Sequence, residues 1–123
     1  MNILFWNTGA RAPIDEIAIL VGDLHVDVLI LAECPLAPVK IVSKLNAGGR
    51  ANFHLPLNPS DRFTFVVALP PRNFMPVYDS AGVSVRHLQP PIGQDALIVA
   101  LHLPSKFFLS AEEQAHWPHE HHN

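Results

Sequence analysis

With a single cysteine, Cys34, in 123 residues, the chain can form no intrachain disulfide framework. A reducing compartment is expected. Charge is also scarce: Asp, Glu, Lys and Arg make up 15% of the residues, against 49% hydrophobic ones. That balance excludes a disordered chain, which is poor in apolar residues and rich in charge. The eight Lys and Arg stand singly, and the net charge is -3 with neutral His. The basic stripe of a general nucleic-acid binder is missing. So are long apolar runs, since none approaches the roughly 20 residues that span a bilayer. The start, Met1-Asn2-Ile3-Leu4-Phe5-Trp6, has no basic leader and soon meets Asn7 and Thr8, so it reads as a strand and not as a signal peptide. One soluble, cytoplasmic domain is the expectation.

What is present is first a strand–helix–strand pattern. Residues 2 to 6 form a short apolar run that ends at Asn7-Thr8-Gly9, which predicts a buried strand followed by a loop. Pro13 opens a helix, with Asp15 and Glu16 in its first turn, where the helix dipole favours them. Ile14, Ile17, Leu20 and Val21 share one face, and Gly22-Asp23 closes the helix. Residues 26 to 32, Val-Asp-Val-Leu-Ile-Leu-Ala, are apolar almost throughout, like strands covered on both faces. A βαβ unit of this kind makes the two strands parallel, with both ending on the same edge. Asn7 then follows the first strand and Glu33 the second.

After Pro35 and Pro38 a short helix is predicted through Leu45, closed by Gly48-Gly49. The second half reads as antiparallel β, with strands over 63–69, 83–87 and 96–102. Pro70-Pro71 and Pro90-Pro91 punctuate them, as befits loops or edges. Ser110 and Glu113 have the spacing of a capping box, so one more helix is predicted from there. Pro118 stops any helix before the tail.

Three residues stand at strand ends and carry groups suited to chemistry. Glu33 closes an apolar strand, and a carboxylate there is costly to desolvate unless a cation meets it. Hard oxygen ligands suit Mg²⁺, which keeps its waters and takes one or two carboxylates plus phosphate. An ordinary exposed Glu at a loop start fits the position equally well. The Asn7 amide can bond a phosphate or orient a ligand, or it can cap its own loop. His102 follows the last long strand. It can bond a phosphoryl oxygen or pass a proton near neutral pH, or simply bond a carbonyl. Among the other histidines, His116, His119, His121 and His122 cluster at the C-terminus. Such a tract can bind Zn²⁺ or Ni²⁺, but a disordered tail is the plainer reading. His25, His54 and His87 have no evident partner, and Cys34 reads as a small buried residue.

Three segments occur in order: Ile3-Leu4-Phe5-Trp6-Asn7, Asp27-Val28-Leu29-Ile30-Leu31-Ala32-Glu33, and Val99-Ala100-Leu101-His102-Leu103-Pro104-Ser105. Together they resemble the endonuclease/exonuclease/phosphatase family, also called DNase I-like, over residues 2 to about 114. Its members look like Trp-Asn at the first strand end, Asp-x-x-x-Leu-x-Glu at the second and a His-Leu-x-Ser or similar segment later. The resemblance implies a two-sheet α/β sandwich, of which this chain is the N-terminal half over 1–114, with 115–123 as a His-rich tail. It implies that Glu33 is a ligand to Mg²⁺ or Mn²⁺. It places Asn7 in the metal and phosphate site and His102 on the scissile phosphate. The implied substrate is a phosphoester: a nucleic acid, or a phospholipid or inositol phosphate headgroup. Ala32 departs from the Gln common before the Glu.

The family's later Gly-Asp-x-Asn and Asp-His segments, which activate water and hold the phosphate, do not occur in these 123 residues. Gly22-Asp23-Leu24-His25 resembles the first only superficially. The expectation is therefore a partial hydrolase with negligible turnover by itself. Alternatives are a non-catalytic binding module or one half of a split enzyme. In the family fold the C-terminal half supplies most of the second sheet, so strands 63–69 and 96–102 are expected to leave one face open. A complementary chain or a second copy would cover it.

Overall fold

The computed structural model describes residues 1–9, 11, 13–57 and 60–102. It is a mixed α/β structure of two three-stranded sheets and two helices. The first sheet contains β1 (Ile3–Asn7), β2 (Val28–Ala32) and β3 (Phe63–Val67), in that order. β1 and β2 are parallel, joined through helix α1 (Ile14–Asp23), and β3 runs antiparallel to β2. Helix α2 (Pro38–Asn46) lies in the β2–β3 connection. The second sheet is an antiparallel meander of β4 (Phe74–Ser80), β5 (Val83–Leu88) and β6 (Ala96–Leu101). No described helix is long and apolar enough to cross a membrane.

The two faces of the first sheet build two cores. Ile17 and Val21 of α1 and Ile41 and Leu45 of α2 pack with Leu29, Leu31 and Val66 on one face. Ile17 and Val21 are two of the four α1 positions that the helical periodicity selected, and β2 is buried at every residue, as its unbroken apolar run requires. On the other face Val28, Ile30, Phe63, Phe65 and Val67 meet Phe74, Leu88 and Ala100 of the second sheet. The layers are helices, first sheet, second sheet. Truncating a side chain such as Leu29, which is fully buried, is worth about 2–5 kcal/mol in a core of this kind.

Several expectations need correction. The strand over 63–69 has no open face: it pairs with β2 and is covered on both sides. Pro13 is the residue before α1, not its first helical residue. β4 is an additional strand, at the edge of its sheet, where Pro76 costs no ladder hydrogen bond and the register shifts between Pro76 and Tyr78. Cys34 is half-buried. The predicted helix at Ser110, residues 103–105 of the third motif and the His-rich tail lie outside the described residues.

The strand over 96–102 does expose a face. Leu97, Val99 and Leu101 of β6 are 64%, 55% and 56% exposed, beside exposed Met75 and Tyr78 of β4. Ile3 and Phe5 of β1 are uncovered on the side toward the second sheet, where they share an apolar cavity of about 320 Å³ with Ile98 and Ala100.

Candidate functional site

The parallel register places Asn7 opposite Ala32, so Asn7 and Glu33 emerge at the same end of the first sheet. Thr8 ties them together. Its backbone N–H donates to the Ala32 carbonyl at 3.0 Å, and its buried hydroxyl lies 2.9 Å from the Glu33 carbonyl, to which it donates. The Asn7 Oδ1 atom accepts from the Gly9 N–H at 2.9 Å, a turn that Gly9 permits at φ +59°. The oxygen of Asn7 is therefore committed to its own loop. Its amide nitrogen is the group it can offer a ligand.

Glu33 adopts φ +56°, in the left-handed region, which a non-glycine residue occupies at a cost of order 1 kcal/mol. That backbone turn brings the carboxylate to the second sheet. Glu33 Oε1 lies 3.2 Å from His102 Nε2, with side-chain exposures of 34% and 13% respectively. The approach is close but not aligned as a hydrogen bond, so Nε2 is buried with no hydrogen-bond partner among the described residues. The pair attracts as ions only when His102 is protonated. The His102 ring meets Phe63 edge-on at 6.2 Å between centroids, and Phe63 in turn touches Phe5 at 6.2 Å. Behind the ring, the His102 N–H donates to the Gly82 carbonyl at 2.8 Å. Gly82, in the β4–β5 turn, has φ +79°, and a Cβ on it would stand 2.7 Å from the His102 oxygen.

A cavity of about 460 Å³ opens at the same end of the sheets, lined by Ser60, Asp61, Arg62, Asp79, Ser80 and Ala81. Arg62 precedes Phe63, the register partner of Ala32, so this wall stands one strand away from Glu33. Ser80 and Ala81 lead into Gly82 beneath His102. Beside the cavity Ser60 Oγ and Ser84 Oγ are hydrogen-bonded at 2.9 Å, with Ser60 donating because the Ser84 hydrogen serves Asp79, and the bond links β5 to the loop before β3. Arg86, fully buried over the Phe65 ring at 4.6 Å, reaches Asp79 Oδ1 at 3.0 Å. Partial burial alone would raise the Asp79 pKa. Hydrogen bonds from Ser84 and Arg86 and the guanidinium charge outweigh it and hold the carboxyl below its ordinary value.

Asn7 and Glu33 thus leave the first sheet at the same end, and His102, at the end of the second sheet, approaches Glu33. Thr8, Phe63 and Gly82 position them and were not singled out. The sequence signal for Gly82 was there, a glycine between two strands; Thr8 and Phe63 carried none. Of the remaining described histidines, His54 also has a buried Nε2 with no hydrogen-bond partner among the described residues, and it lies away from this edge. His54 makes paired backbone bonds with Val67, His25 Nδ1 lies 3.1 Å from the Gly22 carbonyl, and His87 pairs with Asp95 at 3.0 Å. Among the described residues no group of three or more His, Cys, Asp and Glu side chains could hold a metal. Comparison with protein-family models, curated proteins and solved structures yields no match to this chain.

Proposed function

We propose that the Glu33–His102 edge is the first part of a divalent-metal and phosphate site, in an incomplete phosphodiesterase of the endonuclease/exonuclease/phosphatase type. The observation that carries the reading is the 3.2 Å approach of Glu33 Oε1 to His102 Nε2, from different sheets and next to Asn7. A carboxylate on a strained backbone and a buried imidazole nitrogen with no hydrogen-bond partner among the described residues, at a shared sheet edge, suit a ligand better than they suit packing. Two stacked sheets with helices on one outer face agree with half of the implied sandwich.

The donor set fits Mg²⁺ or Mn²⁺ only loosely. Glu33 would hold the ion, and Asn7 would bond the phosphate through its amide nitrogen, since its oxygen is engaged by Gly9. A single carboxylate suffices for Mg²⁺ when waters and a substrate phosphate complete the shell. When bound, the ion supplies charge neutralisation at the phosphate oxygens. His102 donates a hydrogen bond to the same phosphate through Nε2, turning from Glu33 to the ligand. The Gly-Asp-x-Asn and Asp-His segments of that family do not occur in the 123 residues, so the unit is expected to bind and orient without completing hydrolysis.

The alternative, a half that joins a complementary chain or a second copy, draws on a separate observation. The β6 edge and the Leu97-Val99-Leu101 face are apolar and uncovered. One experiment tests both. Hydrolysis of bis(p-nitrophenyl) phosphate with Mg²⁺ or Mn²⁺ is measured for the chain alone and mixed with a chain carrying the missing segments. Activity only in the mixture, lost with Glu33→Ala, is the expected result. Inactivity of the mixture together with no effect of Glu33→Ala on metal binding overturns the site.

A further inference from the structure

The central strand of the second sheet has its alternation reversed. In an antiparallel strand with one face on the core, apolar residues point to the core and polar ones to water. β5 does the opposite: Ser84 and Arg86 point inward and are fully buried, while Val83 and Val85 point outward. The neighbouring strands follow its register. Tyr78 and Val99 flank Val85 on the outer face, and Met75 and Leu97 flank His87. Leu101 lies beside Val83. None of these outward residues is Asp, Glu, Lys or Arg. The one imidazole among them already has a partner, since His87 Nε2 lies 3.0 Å from Asp95 Oδ2 at the border of the face. The second sheet is therefore composed like one covered on both faces, yet both described helices pack on the first sheet.

We propose that this outer face is a dimerisation surface, and that its occupant is the same face of a second copy of the chain, packed sheet on sheet. An uncharged face asks for no complementary charge, and its own copy supplies an apolar sheet of equal width. A two-fold axis then sets each apolar row against another. Sheets packed in this way stand about 10 Å apart with strands within about 30° of one another. With Met75, Tyr78, Leu97, Val99 and Leu101 39–64% exposed, the face offers on the order of 600 Å² per copy, against about 800 Å² per partner in a standard interface. An area at that lower end gives a reversible dimer. An anionic lipid surface would be held by Lys or Arg on the face, which has none, and Asp95 at its border repels such a surface. Glu33 and His102 lie on the other side of the second sheet, so the dimer does not rest on the metal site. It deepens the second-copy reading given above by assigning the contact to the face and not to the β6 edge.

Sedimentation velocity on the full chain, from about 1 to 100 µM, spans the dissociation constant expected of so small an interface. A monomer–dimer equilibrium is expected. Tyr78→Lys decides where the contact lies. Tyr78 is on β4, about 10 Å across the sheet from β6, so a lysine there charges the face and leaves the β6 edge untouched. It should raise the dissociation constant about tenfold or more, because the face would bury an unpaired charge. Tyr78 is half exposed, so the monomer should keep its fold, as circular dichroism will show. Val85→Thr on the central strand places a hydroxyl in the same interface with little change of shape, and should also weaken the dimer. Glu33→Ala should leave the dimer as it is, so failure of the metal site and failure of the dimer are read apart. A full chain that stays monomeric over this range overturns the proposal. So does a dimer indifferent to Tyr78→Lys, which would be joined through the β6 edge. Co-sedimentation of a monomer with phosphatidylcholine vesicles would overturn it too, and would assign the face to lipid.

Discussion

Gly82 and His102 touch at a point where no side chain could stand. The His102 N–H donates to the Gly82 carbonyl at 2.8 Å, and a Cβ added to Gly82 would lie 2.7 Å from the His102 carbonyl oxygen. The contact extends the β5–β6 ladder by one pair beyond Val83 and Leu101, so the β4–β5 turn fixes the backbone at the end of β6 from which His102 reaches Glu33.

Substituting Gly82→Ala must displace this backbone contact as well as hold alanine at φ +79°. A cost of about 1–3 kcal/mol is expected from the strain. Urea denaturation measures it. The positional effect has its own readout: NOE contacts between the His102 and Phe63 rings should weaken in the folded variant. Intact ring contacts would show that β6 is located by its ladder with β5 alone.

Glu33 offers a test of whether strain serves a site. At φ +56° glycine is at ease, so Glu33→Gly trades relieved strain against a more flexible unfolded chain. Stability within about 1 kcal/mol of the parent is expected, since the relieved strain and the added unfolded-state freedom are each of about that size and oppose one another. Titration calorimetry with Mg²⁺ should show the parent binding weakly and the variant not at all. Equal heats from both proteins would remove Glu33 from any metal site.

Asp79 gives a pH dependence with a definite sign. Its folded carboxyl pKa lies below the ordinary value, so its contribution is fully present above the unfolded pKa of about 3.9 and is lost as pH falls through the lower folded value. In Asp79→Asn this part of the acid limb should vanish, leaving a shallower loss of stability below about pH 4. At neutral pH the variant should be less stable by about 1–2 kcal/mol. That is less than the 3–5 kcal/mol for a wholly buried pair, because the Asp79 side chain is 39% exposed. Chemical denaturation at pH 3, 4 and 7 decides the matter; parallel pH curves for the two proteins would assign the acid limb to other carboxylates.

Much of the first sheet was legible because its signals are local. The apolar run of β2, the 3.6-residue period of α1 and the punctuation after Trp6 each act over a few residues, and the parallel pairing of β1 and β2 follows from them. The meeting of Asn7 and Glu33 was legible for the same reason. β4 was not, because Pro76 argues against a strand unless the strand is known to be an edge. Nor was the partner of β3, since Phe63-Thr64-Phe65 reads the same in either sheet until the sheets are stacked. The Glu33–His102 contact and the Ser60, Arg62 and Asp79 wall join segments from different sheets, and no periodicity within a segment encodes that distance.

The association state follows from what β6 lacks. Ala96-Leu97-Ile98-Val99-Ala100-Leu101 has no charge and no proline, yet it is the edge of its sheet. The opposite edge, β4, carries Pro76, a register shift and Asp79, the devices that blunt edge pairing. β6 also turns Leu97, Val99 and Leu101 outward, so an unpaired backbone row and an apolar face coincide. At about 25 cal/mol per Å², covering a few hundred Å² of that surface is worth several kcal/mol, a sizeable share of the 5–15 kcal/mol that stabilises a domain. The chain alone is therefore expected to self-associate at micromolar concentration, and size exclusion with light scattering should show species above the monomer mass. Val99 sits mid-strand with its side chain in solvent, so Val99→Lys places a charge on the edge without entering the core. That variant should shift the population to monomer and lower the binding of a hydrophobic dye, with unfolding stability unchanged within about 0.5 kcal/mol. A parent chain that runs as a monomer and binds no dye would mean that this edge and face are already covered.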